Sequence, residues 1–335
     1  MERHGLPSLH AAATDWIAGE RDEDFVSAAS PRVALCFPGQ GSQTASMAAG
    51  LGETDLGRRL LVVVATLGAD LGPAFGGDEE LIRPTEVAQP ALVFTEVVLA
   101  AALPRDLSVV AVAGHSVGEL AAYAASGALE PEAALRLAVE RGRLMAAMRE
   151  GTMAAVLGLD AATATRLCAE SAGTVVVANL NAPGQVVVSG EVDAVTAFSA
   201  TARAAGARRV LPLKVSGAFH SPLMAGAASE FVRVLDAVEF RRPSVPVVTN
   251  VDAAPVSDAA GLRDRLGRQM VSAVRWAESV ERLVALGAEV LVEVGPGEVL
   301  TGLARRIAPG VRAVSVASLS AAAGLSERLS ADPPG

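Results

Sequence analysis

A chain of 335 residues that is 51% hydrophobic is long enough for one large domain or two closely joined ones with a substantial core. A formal net charge of −9 argues against nonspecific nucleic-acid binding, and no basic stripe interleaved with aromatics is present. No apolar stretch is long and uncharged enough to cross a bilayer, and an N-terminus carrying Glu2, Asp15 and Glu20 lacks a signal pattern, so the reading is cytoplasmic with no membrane partner. Aromatics supply only 3% of the chain, which leaves Ala, Val and Leu to build the core, as in α/β folds with a parallel sheet. Cys36 and Cys168 lie in apolar contexts and read as buried free thiols rather than a disulfide or a metal site.

Residues 1–30 are polar and Ala/Ser-rich, with a short helix expected at Ala11–Ile17, and read as an N-terminal extension. Val33–Phe37 is a buried strand followed by the glycine-rich turn Pro38-Gly39-Gln40-Gly41-Ser42-Gln43. That turn lacks the G-K-[ST] ending of a P-loop and suits a backbone that approaches a ligand closely. Helical patterns are expected from about Met47 to Leu71 and from Ala91 to Ala102, the second capped by Pro84–Pro90. Val109–Ala113 is strand-like, and a helix starts just after Gly118. A long helix begins at Pro131 and runs to about Glu150.

The texture changes at Gly151. Strand, helix, strand, strand, helix, strand follow at Met153–Leu157, Ala161–Ser171, Thr174–Ala178, Gln185–Ser189, Val192–Ala205 and Arg209–Val215, which is the ferredoxin-like order. From Ser216 the larger pattern resumes, with helices at Pro222–Ala237, Gly261–Met270, Trp276–Leu286 and Leu300–Ile307 and strands at Val245–Val251 and Glu289–Glu293. The expected organisation is a large α/β subdomain at 31–150 and 216–320, a small ferredoxin-like insert at 151–215, and a flexible tail at 321–335.

The chemistry centres on Gly114-His115-Ser116-Val117-Gly118, a G-x-S-x-G nucleophile elbow between a strand and a helix. Such a turn needs neighbours without a Cβ because the two backbones come close, and it aims a helix N-terminus at any oxyanion that forms. A serine nucleophile needs a base. Of the four histidines, His4 and His10 lie in the extension and His115 flanks the serine, which leaves His220, at a strand-to-helix junction. No Asp or Glu stands out as a third triad member; a main-chain carbonyl orients an imidazole equally well. The oxyanion donors are then the N–H of Val117 and one from another loop, with Gln40 the natural choice.

These stretches, with Gln89-Pro90-Ala91, Arg141-Gly142-x-x-Met145, Asn181-Ala182-Pro183-Gly184-Gln185, His220-Ser221-Pro222-Leu223-Met224, Val274-Arg275-Trp276 and Glu293-Val294-Gly295-Pro296-Gly297, resemble in type and order the malonyl-CoA:acyl-carrier-protein transacylases, a family that includes the polyketide-synthase acyltransferases. The resemblance covers about 31–315. It implies an α/β-hydrolase-like large subdomain with a ferredoxin-like insert, Ser116 as nucleophile, His220 as base, and Gln40 and Val117 as oxyanion donors. It implies Arg141 as the bidentate partner of the free carboxylate of a malonyl unit, in a substrate pocket with Met145 and Phe219. The main chain at Gln269 would orient the histidine. It further implies a malonyl-CoA substrate, an acyl carrier protein partner whose phosphopantetheine accepts the acyl group, no cofactor, and a monomer.

Phe219 before the histidine and Val117 after the serine resemble the malonyl-selective pattern, in which the ring fills the space of an α-methyl group. Gly217 departs from it, since modular malonyl-selective domains usually carry His there; Gly-Ala-Phe-His resembles discrete acyltransferases serving polyketide synthases in trans. Two other readings compete. One is a hydrolase that clears acyl groups from carrier proteins with the same residues, against which Arg141 counts. The other is a non-catalytic docking protein, which would have no use for Ser116, His220, Gln40 and Arg141 together.

Overall fold

The computed structural model describes residues 31–331; the extension at 1–30, with its expected helix, lies outside the described residues. In chain order the elements are β1 (Arg32–Phe37), α1 (Asp55–Thr66), α2 (Gly72–Phe75), α3 (Thr85–Ala101), β2 (Ser108–Gly114), α4 (Gly118–Ala125) and α5 (Pro131–Ala147). Next come β3 (Thr152–Leu157), α6 (Ala161–Glu170), β4 (Val175–Ala182), β5 (Gln185–Gly190), α7 (Val192–Ala204) and β6 (Arg209–Pro212). The chain continues through α8 (Ala225–Asp236), β7 (Val247–Val248), β8 (Pro255–Val256), α9 (Ala259–Gln269), α10 (Trp276–Ala285), β9 (Val290–Val294), α11 (Val299–Ile307), β10 (Arg312–Val316), α12 (Leu319–Ala323) and α13 (Leu325–Ser330).

Two sheets result. The larger has the order β10-β9-β1-β2-β7-β8, with every neighbouring pair parallel except β7–β8. Its β1 is apolar at every position after Arg32 and is buried on both sides, as expected of a central parallel strand covered by helices. One face packs Val33, Leu35 and Phe37 on α3, α4 and α5; the other packs Ala34 and Cys36 on Trp276, Val280 and Leu300 of α10 and α11. The smaller sheet is antiparallel, in the order β4-β5-β3-β6, with α6 and α7 covering its apolar face. The two meet where Leu180 N–H donates to Val274 O at 2.9 Å and Val274 N–H donates to Ala178 O at 2.8 Å. No helix among the described residues is long and apolar enough to cross a membrane.

Several expectations are corrected. The stretch from Met47 is broken by Gly50 at φ 73°, so α1 starts only at Asp55, capped by Thr54 Oγ1 accepting Gly57 N–H at 2.9 Å. Pro90 lies inside α3 rather than before it; the helix gives up one internal hydrogen bond and continues because it is buried almost throughout. The strand expected at Val245–Val251 is only two residues long, and the chain then turns, with Thr249 N–H donating to Ala254 O at 3.1 Å. β6 ends at Pro212, well short of Val215, with one further bond to β3 from Leu213 N–H to Met153 O at 2.9 Å. The pattern at 222–237 divides into a single 3₁₀ turn, Pro222–Met224, and α8. The flexible tail expected from 321 is overturned for 321–330, which form parts of α12 and α13 and bury Leu325 and Leu329; β10, not expected, extends the sheet edge just before them.

The elbow sets the tightest backbone approach in the large sheet. A Cβ on Gly118 would stand 2.3 Å from Phe37 O and 2.5 Å from Pro38 O, whereas one on Gly302, inside α11, would meet nothing within 4 Å. Gly118→Ala should therefore destabilise by about 1–3 kcal/mol or more, and Gly302→Ala should stabilise by up to about 1 kcal/mol. Urea unfolding of both variants against the parent chain checks the pair.

Candidate active site

The nucleophile is raised by the local backbone. β2 ends at Gly114, α4 begins at Gly118, and a Cβ on Gly114 would stand 2.1 Å from Gly118 O. Ser116 between them has φ 53°, a left-handed conformation that costs a non-glycine residue energy and that the surroundings must hold. The holder is Asn250, whose Oδ1 accepts Ser116 N–H at 2.7 Å and whose Nδ2 donates to Gly114 O at 2.6 Å. Sequence reasoning missed Asn250, which carried no motif beyond its place after a short apolar run.

His220 also has a positive φ, 57°, and is buried. Its Nδ1 donates to two main-chain carbonyls, Gln269 O at 3.0 Å and Ser272 O at 3.1 Å. Both partners are acceptors only, so the proton sits on Nδ1 and Nε2 is left as an acceptor. Nε2 lies 2.7 Å from Ser116 Oγ. Arg141 Nη2 donates to the same oxygen at 3.2 Å, which turns the serine O–H toward the imidazole. Burial, and then the Arg141 cation, push His220 down to about 3, so at neutral pH the ring is uncharged and Nε2 is free to accept a proton.

Arg141 comes from the inner face of α5 and is almost fully buried. Nη1 donates to Gln89 Oε1 at 2.8 Å and Nη2 to Gln269 Oε1 at 2.8 Å. With the Ser116 contact, three of its five N–H donors are engaged, and Nε, buried, has no partner among the described residues. Burial lowers the guanidinium to about 10, against the opposing pull of Glu119, so it stays charged at neutral pH. A desolvated fork with donors to spare, beside the nucleophile, is equipped to clamp a carboxylate.

The remaining expected residues are placed as follows. Val117 is the N-cap of α4, its N–H at the positive end of that helix. Gln40 lies in the turn after β1, which packs against the elbow: His115 N–H donates to Phe37 O at 2.8 Å, and Gln40 Nε2 is tied to Thr85 Oγ1 at 3.2 Å. Met145 is buried next to Arg141, its Sδ accepting from Gln89 Nε2 at 3.4 Å. Phe219 is buried directly before the histidine. His115 does not join the chemistry; its Nε2 donates to Asn181 Oδ1 at 2.9 Å and its ring packs on Trp276. Gly217, the departure from the malonyl-selective pattern that the resemblance implies, has no room for a side chain, because a Cβ would stand 2.1 Å from Met148 O. Gln89 was quoted in the sequence only as part of a motif, and its contact with the arginine needed the fold to appear.

Residues 35–325 match the model of the acyl transferase domain family. The chain is 41% identical over 307 residues to a malonyl CoA-acyl carrier protein transacylase of Salmonella typhimurium, covering 86% of this chain and 98% of that one. The solved malonyl-CoA:ACP transacylase of Synechocystis sp. PCC 6803 superposes with a TM-score of 0.81 at 38% identity, over 87% of this chain and 99% of that one. A malonyl-transacylase solved in complex with its type II PKS acyl-carrier protein superposes with a TM-score of 0.82 at 36% identity, over 89% and 99% of the two chains. Domain match, fold and identity extend over nearly all the described residues, and the chain belongs to the malonyl-CoA:acyl-carrier-protein transacylase family.

Proposed function

We propose that this chain moves a malonyl group from CoA to the phosphopantetheine thiol of an acyl carrier protein through an acyl-serine intermediate. The observation that carries the reading is the convergence on one atom: Ser116 Oγ lies 2.7 Å from His220 Nε2 and 3.2 Å from Arg141 Nη2. Ser116 gives its proton to His220 Nε2 as Oγ bonds to the thioester carbonyl carbon. The N–H groups of Val117 and Gln40 hold the resulting oxyanion. The C–S bond breaks, the CoA sulfur takes the proton from His220, and the malonyl ester remains with its carboxylate on Arg141. The carrier-protein thiol then gives its proton to His220, its sulfur attacks the ester carbonyl, and Ser116 Oγ leaves with that proton. The reaction needs no resident cofactor, because the thioester is already activated and the side chains supply nucleophile and base. Phe219 occupies the space of an α-methyl group and favours malonyl over methylmalonyl. The two free, buried thiols fit a cytoplasmic enzyme, and burial raises both, Cys168 to about 12.

Intact-protein mass spectrometry after brief incubation with equimolar malonyl-, methylmalonyl- and acetyl-CoA should show a malonyl adduct on the parent chain and none on Ser116→Ala. The adduct should discharge faster onto a carrier protein than to water; equal rates would identify a hydrolase.

Arg141→Ala should lower kcat/KM for malonyl-CoA by the roughly 2–5 kcal/mol that follows loss of one partner of a buried charge pair, while acetyl-CoA is affected much less. The same variant tests the base. A depressed histidine is neutral at every pH above its lowered value, so kcat/KM of the parent chain should stay level from about pH 8 to 5 instead of falling below about 6.5. Removing the Arg141 cation takes away the largest depressing cause after burial, so the acid limb measured with acetyl-CoA should move upward in Arg141→Ala. An acid limb near the ordinary imidazole value in the parent chain would contradict the neutral-base assignment.

A further inference from the structure

We infer that Glu119 is a positioning residue that holds Arg141 ready for the substrate carboxylate by fixing the orientation of the Gln269 amide. The inference rests on the acyl-transfer reading above and concerns a residue that touches neither nucleophile side chain nor base. Glu119 lies in the first turn of α4, wholly buried. Its carboxylate accepts three hydrogen bonds, from Tyr123 OH at 2.6 Å, Gln269 Nε2 at 2.8 Å and Asn250 N at 3.1 Å.

A primary amide has a donating end and an accepting end, and what one end meets decides what the other presents. Gln269 Nε2 faces three acceptors, Glu119 Oε2, Ser116 O at 3.0 Å and, more distantly, Asn250 Oδ1 at 3.5 Å. Its Oε1 is thereby directed at Arg141 Nη2. The flipped amide would set N–H against guanidinium N–H and oxygen against both the carboxylate and the serine carbonyl, each a buried mismatch. The main chain of Gln269 meanwhile accepts from His220. One residue thus serves base, nucleophile backbone and carboxylate clamp, and Glu119 sets its side chain. The same carboxylate anchors the main chain of Asn250, whose side chain grips both backbone sides of the elbow. Glu119 also supplies the negative charge that opposes the lowering of the Arg141 guanidinium.

The test is acylation of Ser116 measured separately with malonyl-CoA and acetyl-CoA, on the parent chain, Glu119→Ala, Glu119→Gln and Gln269→Leu. Glu119→Ala should lose about 10²-fold in kcat/KM for malonyl-CoA, as expected when a misplacement of about 1 Å is introduced outside the chemistry, and about tenfold or less for acetyl-CoA, so that the preference collapses. Glu119→Gln should recover the preference to within about fivefold, since its amide oxygen can still accept from Gln269 and Asn250 while its amide nitrogen donates to Tyr123. Gln269→Leu keeps the carbonyl that orients His220 and should lose the malonyl preference, which provides the measurement if Glu119→Ala does not fold. A malonyl-to-acetyl ratio unchanged in Glu119→Ala or in Gln269→Leu, with both donors falling together, would overturn the inference and leave a structural role. A parent chain that acylates Ser116 without malonyl preference would instead overturn the malonyl reading on which the inference rests.

Discussion

A guanidinium held out of water is the constraint on which this structure depends. Arg141 is almost fully buried, and a buried cation is tolerated only where its hydrogen bonds and charge are answered. Gln89 and Gln269 answer with amide oxygens, and Glu119 answers with charge at one remove. Among the described residues no carboxylate hydrogen-bonds directly to the fork, so its charge is answered only at that distance. Burial first, and then the same cation, keep His220 neutral, and the cation turns the serine hydroxyl toward it. One buried charge thus acts on both the serine and the histidine.

The two sheets matter because they set what lies beside that charge. The parallel sheet brings the ends of β1 and β2 together, and with them the glycine-rich turn and the elbow. The small antiparallel sheet joins through β4, whose main chain bonds to Val274, and through Asn181, which holds His115. The loop that Val274 belongs to is the one whose Gln269 and Ser272 carbonyls orient His220. Docking of the insert and orientation of the base are therefore mechanically linked by a few residues of chain. Among the described residues, two of the three non-glycine residues with positive φ are Ser116 and His220, and that strain persists because side-chain amides and carbonyls over-determine it.

Much of this was legible in the amino-acid order alone. The elbow announces itself because close backbone approach demands glycine at 114 and 118, and the βαββαβ order of the insert follows from periodicity. With only four histidines in the chain, the base could be found by elimination. The role of Arg141 needed the resemblance, since a helix of mixed polarity does not say which arginine turns inward. Asn250, Gln89 and the side chain of Gln269 were not legible. Each acts across more than fifty residues of chain, through a hydrogen bond that exists only when distant elements are packed. The short β7, the continuous α3 through Pro90 and the helical end at 319–330 were misread for a related reason: burial and competing hydrogen bonds override local pattern there. Sequence by itself thus determined the chemical parts and the architecture, because residue type and periodicity are local. The tertiary structure decided how an acid, two amides and a buried cation are wired around the serine, because hydrogen-bond polarity and desolvation arise only on packing.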